Sequence, residues 1–258
     1  MIDKNFINSK NNSFYKTLRK ISANKKFRLG SGQTLLDGAH LIEAYQKYSQ
    51  PLALIKDESI NMPEVDNLIQ ANKNIKCLTL SHELFLKLSE LKTSSGIFAL
   101  VEIPKNSLSV GPLTLLLDRI QDPGNLGTIL RTAVASGVTS VVLSTGCADI
   151  WSPKTLRGSQ GFQFGLSCLT DQDLSVWIDN FKGKVFALSM GGKSIFDTSL
   201  GKNIAVLVGN EGSGINSSLL KKTDNILSLP MQNGIESVNV AVAASVFMYE
   251  FYRQTGER

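Results

Sequence analysis

Three short segments of the chain combine glycine with polar side chains that could bind a ligand or move a proton. The first runs from Asp122 to Ala133 and opens with Asp-Pro-Gly-Asn-Leu-Gly. The second is Gly-Asn-Glu-Gly-Ser-Gly at 209–214, and the third extends from Leu229 to Asn239. Glycine bares the backbone so that a ligand can approach closely, while amide, carboxylate, hydroxyl and guanidinium groups supply hydrogen bonds. The segments therefore predict a binding or catalytic site built from loops.

The first segment predicts the start of a helix. Asp122 can cap this helix, and Pro123 suits its first position because the missing N–H has no intrahelical partner there. Gly124 and Gly127 leave the first turn bare, which can hold an anion. Arg131 lies one turn beyond Gly127 on the same face. Taken alone, the segment is better explained as a well-capped structural helix with a surface arginine.

The second segment directly follows an apolar run at 204–208 that predicts a parallel strand. Ligands usually bind at the carboxyl ends of such strands, and Glu211 would lie inside this loop. The order Gly-x-x-Gly-x-Gly differs from the dinucleotide order Gly-x-Gly-x-x-Gly, which argues against a nucleotide-dependent oxidoreductase. In the third segment, Ser237 could cap a helix over 237–253, with Asn239 in its first turn. A glycine-rich turn and a capped core helix explain the two segments equally well in isolation.

These segments belong to a chain of alternating strands and helices. The strands of the second half are predicted at 113–117, 138–144, 184–190 and 204–208, with a helix over 123–136. Because these strands are almost continuously apolar, they predict a parallel sheet covered on both faces. A similar alternation over 13–104 predicts a smaller α/β domain. The Ser-, Gly- and Pro-containing stretch at 104–112 predicts the boundary.

Composition and charge exclude several classes of protein. The net charge is +5, and residues 1–30 hold eight Lys or Arg side chains against one Asp. This basic end predicts contact with a polyanion such as RNA, or else a solvated tail, and residues 1–12 are predicted to be flexible. Three cysteines and two histidines, widely spaced, argue against a disulfide framework and predict no metal site. The sequence shows no signal peptide and no run near the roughly 20 apolar residues that span a bilayer, which predicts a cytoplasmic protein without a membrane partner.

In this order, the three segments resemble the signature motifs of the SpoU-type (TrmH-like) RNA ribose methyltransferases of the SPOUT superfamily. The resemblance covers roughly 112–256 and is carried by Asp-Pro-Gly-Asn-Leu-Gly…Arg-Thr-Ala, Gly-Asn-Glu-Gly-x-Gly and Leu-Pro-Met…Ser-x-Asn-Val. Residues 152–161 resemble the family's loop between the first and second motifs. The front part is similar to the family's L30e-type substrate-binding domain, although Asp37-Gly38 stands where many relatives have Glu-Gly.

The resemblance implies a fold, a reaction and partners. The fold is α/β: a small L30e-like domain at 13–104 precedes a SPOUT methyltransferase domain at 112–258, whose parallel sheet carries a deep trefoil knot. The implied reaction moves a methyl group from S-adenosyl-L-methionine to a ribose 2′-hydroxyl of RNA, in a homodimer with cofactor sites near the dimer interface. The two-domain build favours ribosomal RNA, most simply 23S, over transfer RNA. A non-catalytic RNA-binding protein of the same fold is the remaining alternative.

The resemblance also assigns site residues in two groups. The acceptor-site group consists of Asn125, Arg131, Glu211, Ser237 and Asn239. The cofactor-binding group consists of Leu207, Gly209, Asn210, Gly212, Leu229, Met231 and Val238. In this family the arginine has been cast as the base, but a guanidinium is very hard to deprotonate. Arg131 would more readily orient a phosphate and stabilise the developing alkoxide, which leaves Glu211 or water to take the hydroxyl proton.

Overall fold

The structure of the chain is a computed structural model that describes residues 5–89, 93–105 and 111–256. In chain order its strands and helices are β1 (Phe6–Ile7), α1 (Ser13–Ala23), α2 (Lys25–Ser31), β2 (Gln33–Asp37), α3 (Ala39–Gln46), β3 (Ala53–Asp57), α4 (Pro63–Ala71), β4 (Cys77–Leu80), α5 (His82–Leu86), β5 (Ile97–Glu102), β6 (Leu113–Leu117), α6 (Pro123–Ala135), β7 (Ser140–Ser144), α7 (Pro153–Ser159), β8 (Ser167–Gln172), α8 (Leu174–Asn180), β9 (Lys184–Ser194), β10 (Ile204–Val208), α9 (Ser217–Leu220), β11 (Asn225–Ser228) and α10 (Val240–Thr255).

The chain divides into two compact units. Unit 1 comprises residues 1–105 and 149–164, and unit 2 comprises residues 106–148 and 165–258. The first division falls within the boundary predicted at 104–112, of which 106–110 lie outside the described residues. The segment 149–164 was expected in the second domain, but it packs with unit 1. It contains α7, where the sequence suggested a loop: Ser152 caps this helix by accepting a hydrogen bond from the N–H of Thr155 at 3.2 Å.

Unit 1 is built on a five-stranded mixed sheet with the order β1-β4-β3-β5-β2. β5 runs antiparallel to both β3 and β2, while β1, β4 and β3 are parallel. The core under this sheet includes Leu18, Ile21, Ile55 and Phe85, all fully buried. The α/β alternation predicted over 13–104 is therefore confirmed. The sequence predicts one helix over 81–91, and its end falls on residues 90–92, which lie outside the described residues.

The basic N-terminal region is folded from residue 5 onward, whereas the sequence suggested a flexible segment over 1–12. Phe6 and Ile7 form β1 and pair with β4, because Ile7 buries its side chain in the core of unit 1. The spacing of Phe14, Leu18 and Ile21 predicts a single helix over 13–26, but the structure has two helices here, α1 and α2. Asn24 is extended, with φ −125°, and its side chain caps α2 by accepting from the N–H of Phe27 at 2.9 Å.

Arg28 was counted with the basic end, but its guanidinium is buried inside unit 1. It forms an ion pair with Asp149 at 2.7 Å, and both side chains are more than nine-tenths buried. It also donates hydrogen bonds to the carbonyl oxygens of Ile21 and Ser22. Arg28 therefore joins the α1–α2 turn to segment 149–164 and is not available to RNA.

Unit 2 is built on a six-stranded sheet, in the order β11-β9-β10-β6-β7-β8, whose neighbouring strands all run parallel. β10 lies at the centre, with Leu207 in register with Leu116 of β6 and Ala187 of β9. These three side chains are fully buried in one core cluster. The parallel sheet predicted from continuous apolar strands is therefore confirmed, and its central strands all end at one edge.

Two helices begin at that edge of unit 2. The carboxylate of Asp122 caps α6 by accepting from the N–H of Asn125 at 2.8 Å, as the sequence predicted. The last helix starts at Val240, three residues later than expected, because Asn239 and not Ser237 is its N-cap. The Asn239 side-chain oxygen accepts from the N–H groups of Ala241 and Val242 at 2.8 and 3.3 Å.

Among the described residues, no helix combines the length and apolarity needed to cross a bilayer. The same residues contain no group of three or more His, Cys, Asp and Glu side chains placed to hold a metal ion. All three cysteines are free thiols.

Replacement of Arg28 should destabilise the protein far more than replacement of an exposed neighbour. Arg28→Ala leaves the Asp149 carboxylate buried without its cation, which typically costs about 3–5 kcal/mol. Lys26→Ala, on the same helix but exposed, should change the free energy of unfolding by no more than about 0.5 kcal/mol. Urea unfolding measures both; equal losses would mean that the ion pair contributes no special stability.

Candidate active site at the carboxyl ends of the parallel strands

A cleft of about 1080 Å³ opens where β10 ends and α10 begins, beside the middle of β9. It is lined by residues 188–191, 208–215, 228–231 and 235–240, together with Asn125 and Ala243. All three glycine-containing segments singled out in the sequence reach this cleft. No Lys or Arg side chain is among these lining residues.

The loop after β10 is shaped by Gly209 and Asn210. A Cβ atom on Gly209 would lie 2.4 Å from backbone atoms of Gly214 and Ile215, so the loop can fold back on itself only with glycine there. Asn210 and Gly214 exchange two backbone hydrogen bonds across the loop, at 3.1 and 3.0 Å. The Asn210 side chain accepts from the N–H groups of Gly212 and Ser213 and donates to the carbonyl oxygen of Arg119. Asn210 thus organises the loop and fastens it to the segment after β6.

The Glu211 carboxylate lies at the junction of this loop with the start of α6. It accepts hydrogen bonds from the backbone N–H groups of Gln121 and Asp122, both at 3.2 Å. It also accepts from the side-chain amides of Asn125 at 3.1 Å and Asn210 at 3.4 Å. Burial acts to raise the pKa of Glu211, but these hydrogen bonds outweigh it, so the pKa lies below the ordinary value of a glutamate.

A chain of side-chain hydrogen bonds joins the three segments. The Nδ2 of Asn239, at the start of α10, donates to the Oδ1 of Asn125 at 2.9 Å. Asn125 in turn donates to Glu211. These two hydrogen bonds connect three residues from three separate motifs at the carboxyl edge of the sheet.

Ten of the twelve predicted site residues line the cleft. Of the acceptor-site group these are Asn125, Glu211, Ser237 and Asn239, and of the cofactor group they are Gly209, Asn210, Gly212, Leu229, Met231 and Val238. Arg131 lies outside the lining; it is exposed on α6 and makes no hydrogen bond or ion pair with another described residue. Leu207 also lies outside it, because its side chain is buried in the core of unit 2.

Sequence reasoning missed the part of the cleft that β9 supplies. β9 pairs with β10 up to Leu188, and its pairing with β11 then jumps from Ala187 to Lys193. The intervening residues bulge out, so Leu188 to Gly191 line the cleft, and Met190 is 64% exposed. The signal in the sequence was the Gly191-Gly192 pair: a Cβ on Gly192 would lie 2.4 Å from the carbonyl oxygen of Ile226.

The family model of the SpoU rRNA methylase family matches residues 112–249, more than half of the chain. The chain belongs to the SpoU rRNA methylase family. The recognition made from the three motifs is therefore confirmed, and with it the assignment as an RNA methyltransferase enzyme.

This SpoU-family chain resembles a characterised relative over almost its whole length. It is 35% identical over 249 residues to the 23S rRNA (guanosine(2553)-2′-O)-methyltransferase RlmP of Bacillus subtilis, with 94% of this chain and 97% of the relative covered. Among solved structures, an RNA 2′-O ribose methyltransferase is 29% identical with a TM-score of 0.81, covering 96% of this chain and 98% of the other.

The fold is also that of AviRb from Streptomyces viridochromogenes, solved in complex with the cofactor AdoMet. The TM-score is 0.85 at 23% identity, with 95% of this chain and 100% of AviRb covered. These likenesses extend over both units of the SpoU-family chain, not only over the range of the family model.

Gly209 should be far less tolerant of a methyl group than Gly212. Gly209→Ala forces the new Cβ against the backbone of its own loop, an overpacking that typically costs about 1–3 kcal/mol. A Cβ on Gly212 would meet only the Asn210 side-chain oxygen, at 3.7 Å, so Gly212→Ala is the matched control. Chemical denaturation of both variants tests this; equal stability would contradict the close approach.

Proposed function

We propose that this chain transfers the methyl group of S-adenosyl-L-methionine to a ribose 2′-hydroxyl of 23S ribosomal RNA. The observation that carries the proposal is the hydrogen-bond chain from Asn239 through Asn125 to Glu211, which unites the three family motifs at one cleft. The name and near-complete coverage of the Bacillus subtilis relative support ribosomal RNA and 2′-O transfer. Transfer RNA is the alternative substrate.

The cleft suits S-adenosylmethionine in size and chemistry. Its volume of about 1080 Å³ reaches the upper end of the range for small-molecule sites. Apolar side chains that would cover an adenosyl group stand exposed at its mouth: Met190, Met231, Ile235 and Val238 are 64%, 37%, 55% and 39% exposed. The bent backbone at Gly209, Leu229 and Val238 offers N–H and C=O groups to the polar parts. When bound, this cofactor supplies a methyl group that is already electrophilic, so the protein contributes binding and orientation.

The acceptor ribose would be held by the polar side chains between α6 and α10. Ser237 lines the cleft and makes no hydrogen bond with another described residue, so its hydroxyl is available to a substrate. The two linked asparagines, Asn125 and Asn239, line the same cleft and would face the ribose beside Ser237. Arg131, exposed and without a described partner, would orient an RNA phosphate and stabilise the developing alkoxide.

A basic face on unit 1 would bind the remainder of the RNA. Lys16, Arg19 and Lys20 are exposed on α1, Lys10 is exposed before this helix, and Lys26 is exposed on α2. No Asp or Glu occurs between residues 5 and 36. This face would bind phosphates and so make RNA affinity salt-dependent.

We further propose that the chain acts as a cytoplasmic homodimer, that unit 1 is an L30e-like substrate-binding domain, and that the C-terminal segment forms a trefoil knot. One face of α10 supports the dimer, because Val242, Tyr249 and Tyr252 are 51%, 51% and 48% exposed there. The path of residues 229–239 supports the knot. After β11 this segment lines the cleft beside the β10 loop before α10 packs on α6, where Ser245 bonds to Thr132.

Methyl transfer to ribosomal RNA tests the proposed function directly. The protein should incorporate labelled methyl groups into 23S ribosomal RNA fragments but not into transfer RNA, and mass mapping should find one 2′-O-methylribose. Arg131→Lys keeps a positive charge but loses the bidentate guanidinium, so the turnover should fall about 100-fold with RNA binding retained. Full turnover of this variant would refute a special role for the guanidinium, and absence of methyl transfer by the unaltered protein would refute the function.

Removal of charge from α1 and α2 should weaken RNA binding without affecting binding of the cofactor. The triple variant Lys16→Gln, Lys20→Gln, Lys26→Gln removes three phosphate contacts, so the slope of log affinity against log salt should fall by about 2. The matched control changes Lys182, Lys184 and Lys202, three exposed lysines of unit 2, to Gln. Filter binding over a salt series compares the two; equal slopes would show that the basic face is only a solvated surface.

A further inference from the structure

We propose that Glu211 is a positioning residue and not the base: its carboxylate fastens the β10 loop to the start of α6 and orients Asn125, while the hydroxyl proton goes to water. This inference rests on the proposed function. The sequence leaves either Glu211 or water to take the hydroxyl proton; here water takes the proton and Glu211 positions its neighbours.

Both oxygens of the Glu211 carboxylate are already occupied. Oε1 accepts from the backbone N–H of Asp122 and from Nδ2 of Asn125, at 3.2 and 3.1 Å. Oε2 accepts from the backbone N–H of Gln121 and from Nδ2 of Asn210, at 3.2 and 3.4 Å. A carboxylate offers about four acceptor positions, so an incoming hydroxyl would have to displace one of these donors.

The same hydrogen bonds make Glu211 a weak base. They hold its pKa below the ordinary value of a glutamate, against the opposing effect of burial. No Lys or Arg lines the described cleft, so no cation is responsible. Three other carboxylates lie near the β10 loop: Asp118, which pairs with Arg119 and accepts from the N–H of Asn216, Asp122, which caps α6, and Glu236, in the cleft lining. A base of depressed pKa has little driving force to take a proton from a hydroxyl.

The carboxylate also dictates how the neighbouring amides face. Because a carboxylate can only accept, Asn125 must turn its NH₂ group toward Glu211 and its Oδ1 toward Asn239. Asn239 then donates through Nδ2, while its Oδ1 caps α10. The orientation of both amides, and with it the hydrogen bonds they can offer to a ribose, follows from the charge at position 211.

The chemical step balances without a carboxylate base. The bond between the ribose oxygen and the methyl carbon forms as the bond from that carbon to the sulfonium sulfur breaks, and the donor leaves as a neutral thioether. Water in the open cleft accepts the hydroxyl proton as the new bond forms, and Arg131 stabilises the negative charge that develops on the ribose oxygen. Glu211 keeps its charge and its four donors throughout.

Glu211→Gln and Glu211→Ala test this assignment, with Asp197→Asn as a control that removes an exposed carboxylate elsewhere in unit 2. The new amide of Glu211→Gln has an NH₂ group in place of one carboxylate oxygen. This NH₂ group would point at two N–H donors, from which it cannot accept a hydrogen bond. The loop should shift, and S-adenosylmethionine should bind about tenfold or more weakly by calorimetry. The single-turnover rate should fall at every pH between 5 and 9 with an unchanged profile, and added formate should not restore it.

Two results would overturn the assignment. One is unchanged affinity for S-adenosylmethionine in both Glu211 variants. The other is evidence that Glu211 acts as a base. Such evidence would be a Glu211→Gln rate that no longer falls at low pH, or a Glu211→Ala rate that formate restores. Should the variants fail to fold, carboxyl NMR of the unaltered protein decides, since a Glu211 that titrates above the ordinary glutamate value contradicts the proposal. If the unaltered protein does not bind S-adenosylmethionine, the proposed function itself fails, which is a distinct result.

Discussion

The pairing of β10 with β6 is the constraint on which the site depends. Val208 and Leu117 are in register at the carboxyl ends of these strands, so two loops about ninety residues apart in the chain leave the sheet side by side. Buried apolar side chains fix this register, because a slip would expose the strands' core residues. The polar contacts of the cleft are secondary to it: the Glu211 carboxylate can reach the backbone of Gln121 and Asp122 only because the strands beneath end together.

The parts of this arrangement that local chemistry determines could be read from the sequence. Asp122 and Pro123 predict the start of α6, and the apolar run before Gly209 predicts a buried parallel strand. Ten of the residues that the motifs assigned to the site line one cleft. What escaped prediction depends on distant partners. Burial of Arg28 requires Asp149, which lies 121 residues away.

The β9 bulge and the true cap of α10 were missed for the same reason. The bulge exists because β11 returns to pair with Lys193 and Ser194 after skipping the residues between. Ser237 and Asn239 are both good N-caps by type. In the structure Asn239 caps α10, and its amide also bonds to Asn125, 114 residues away. Leu207 was placed at the site because its neighbours in the motif belong there, yet the alternation of a strand turns its side chain into the core.

The return of residues 149–164 to unit 1 has an evolutionary consequence. Unit 1 is not encoded by one continuous stretch, since β2 is completed by a hydrogen bond from Thr34 to the carbonyl oxygen of Trp151, and Tyr45 packs against Phe164. A recombination event that exchanged only the first 105 codons would combine a new front segment with residues 149–164 of the original chain. The new segment would then lack its matched partners at Trp151 and Phe164. Transfer of the front portion alone between related chains is therefore disfavoured, and unit 1 should diverge more easily by point changes on its surface.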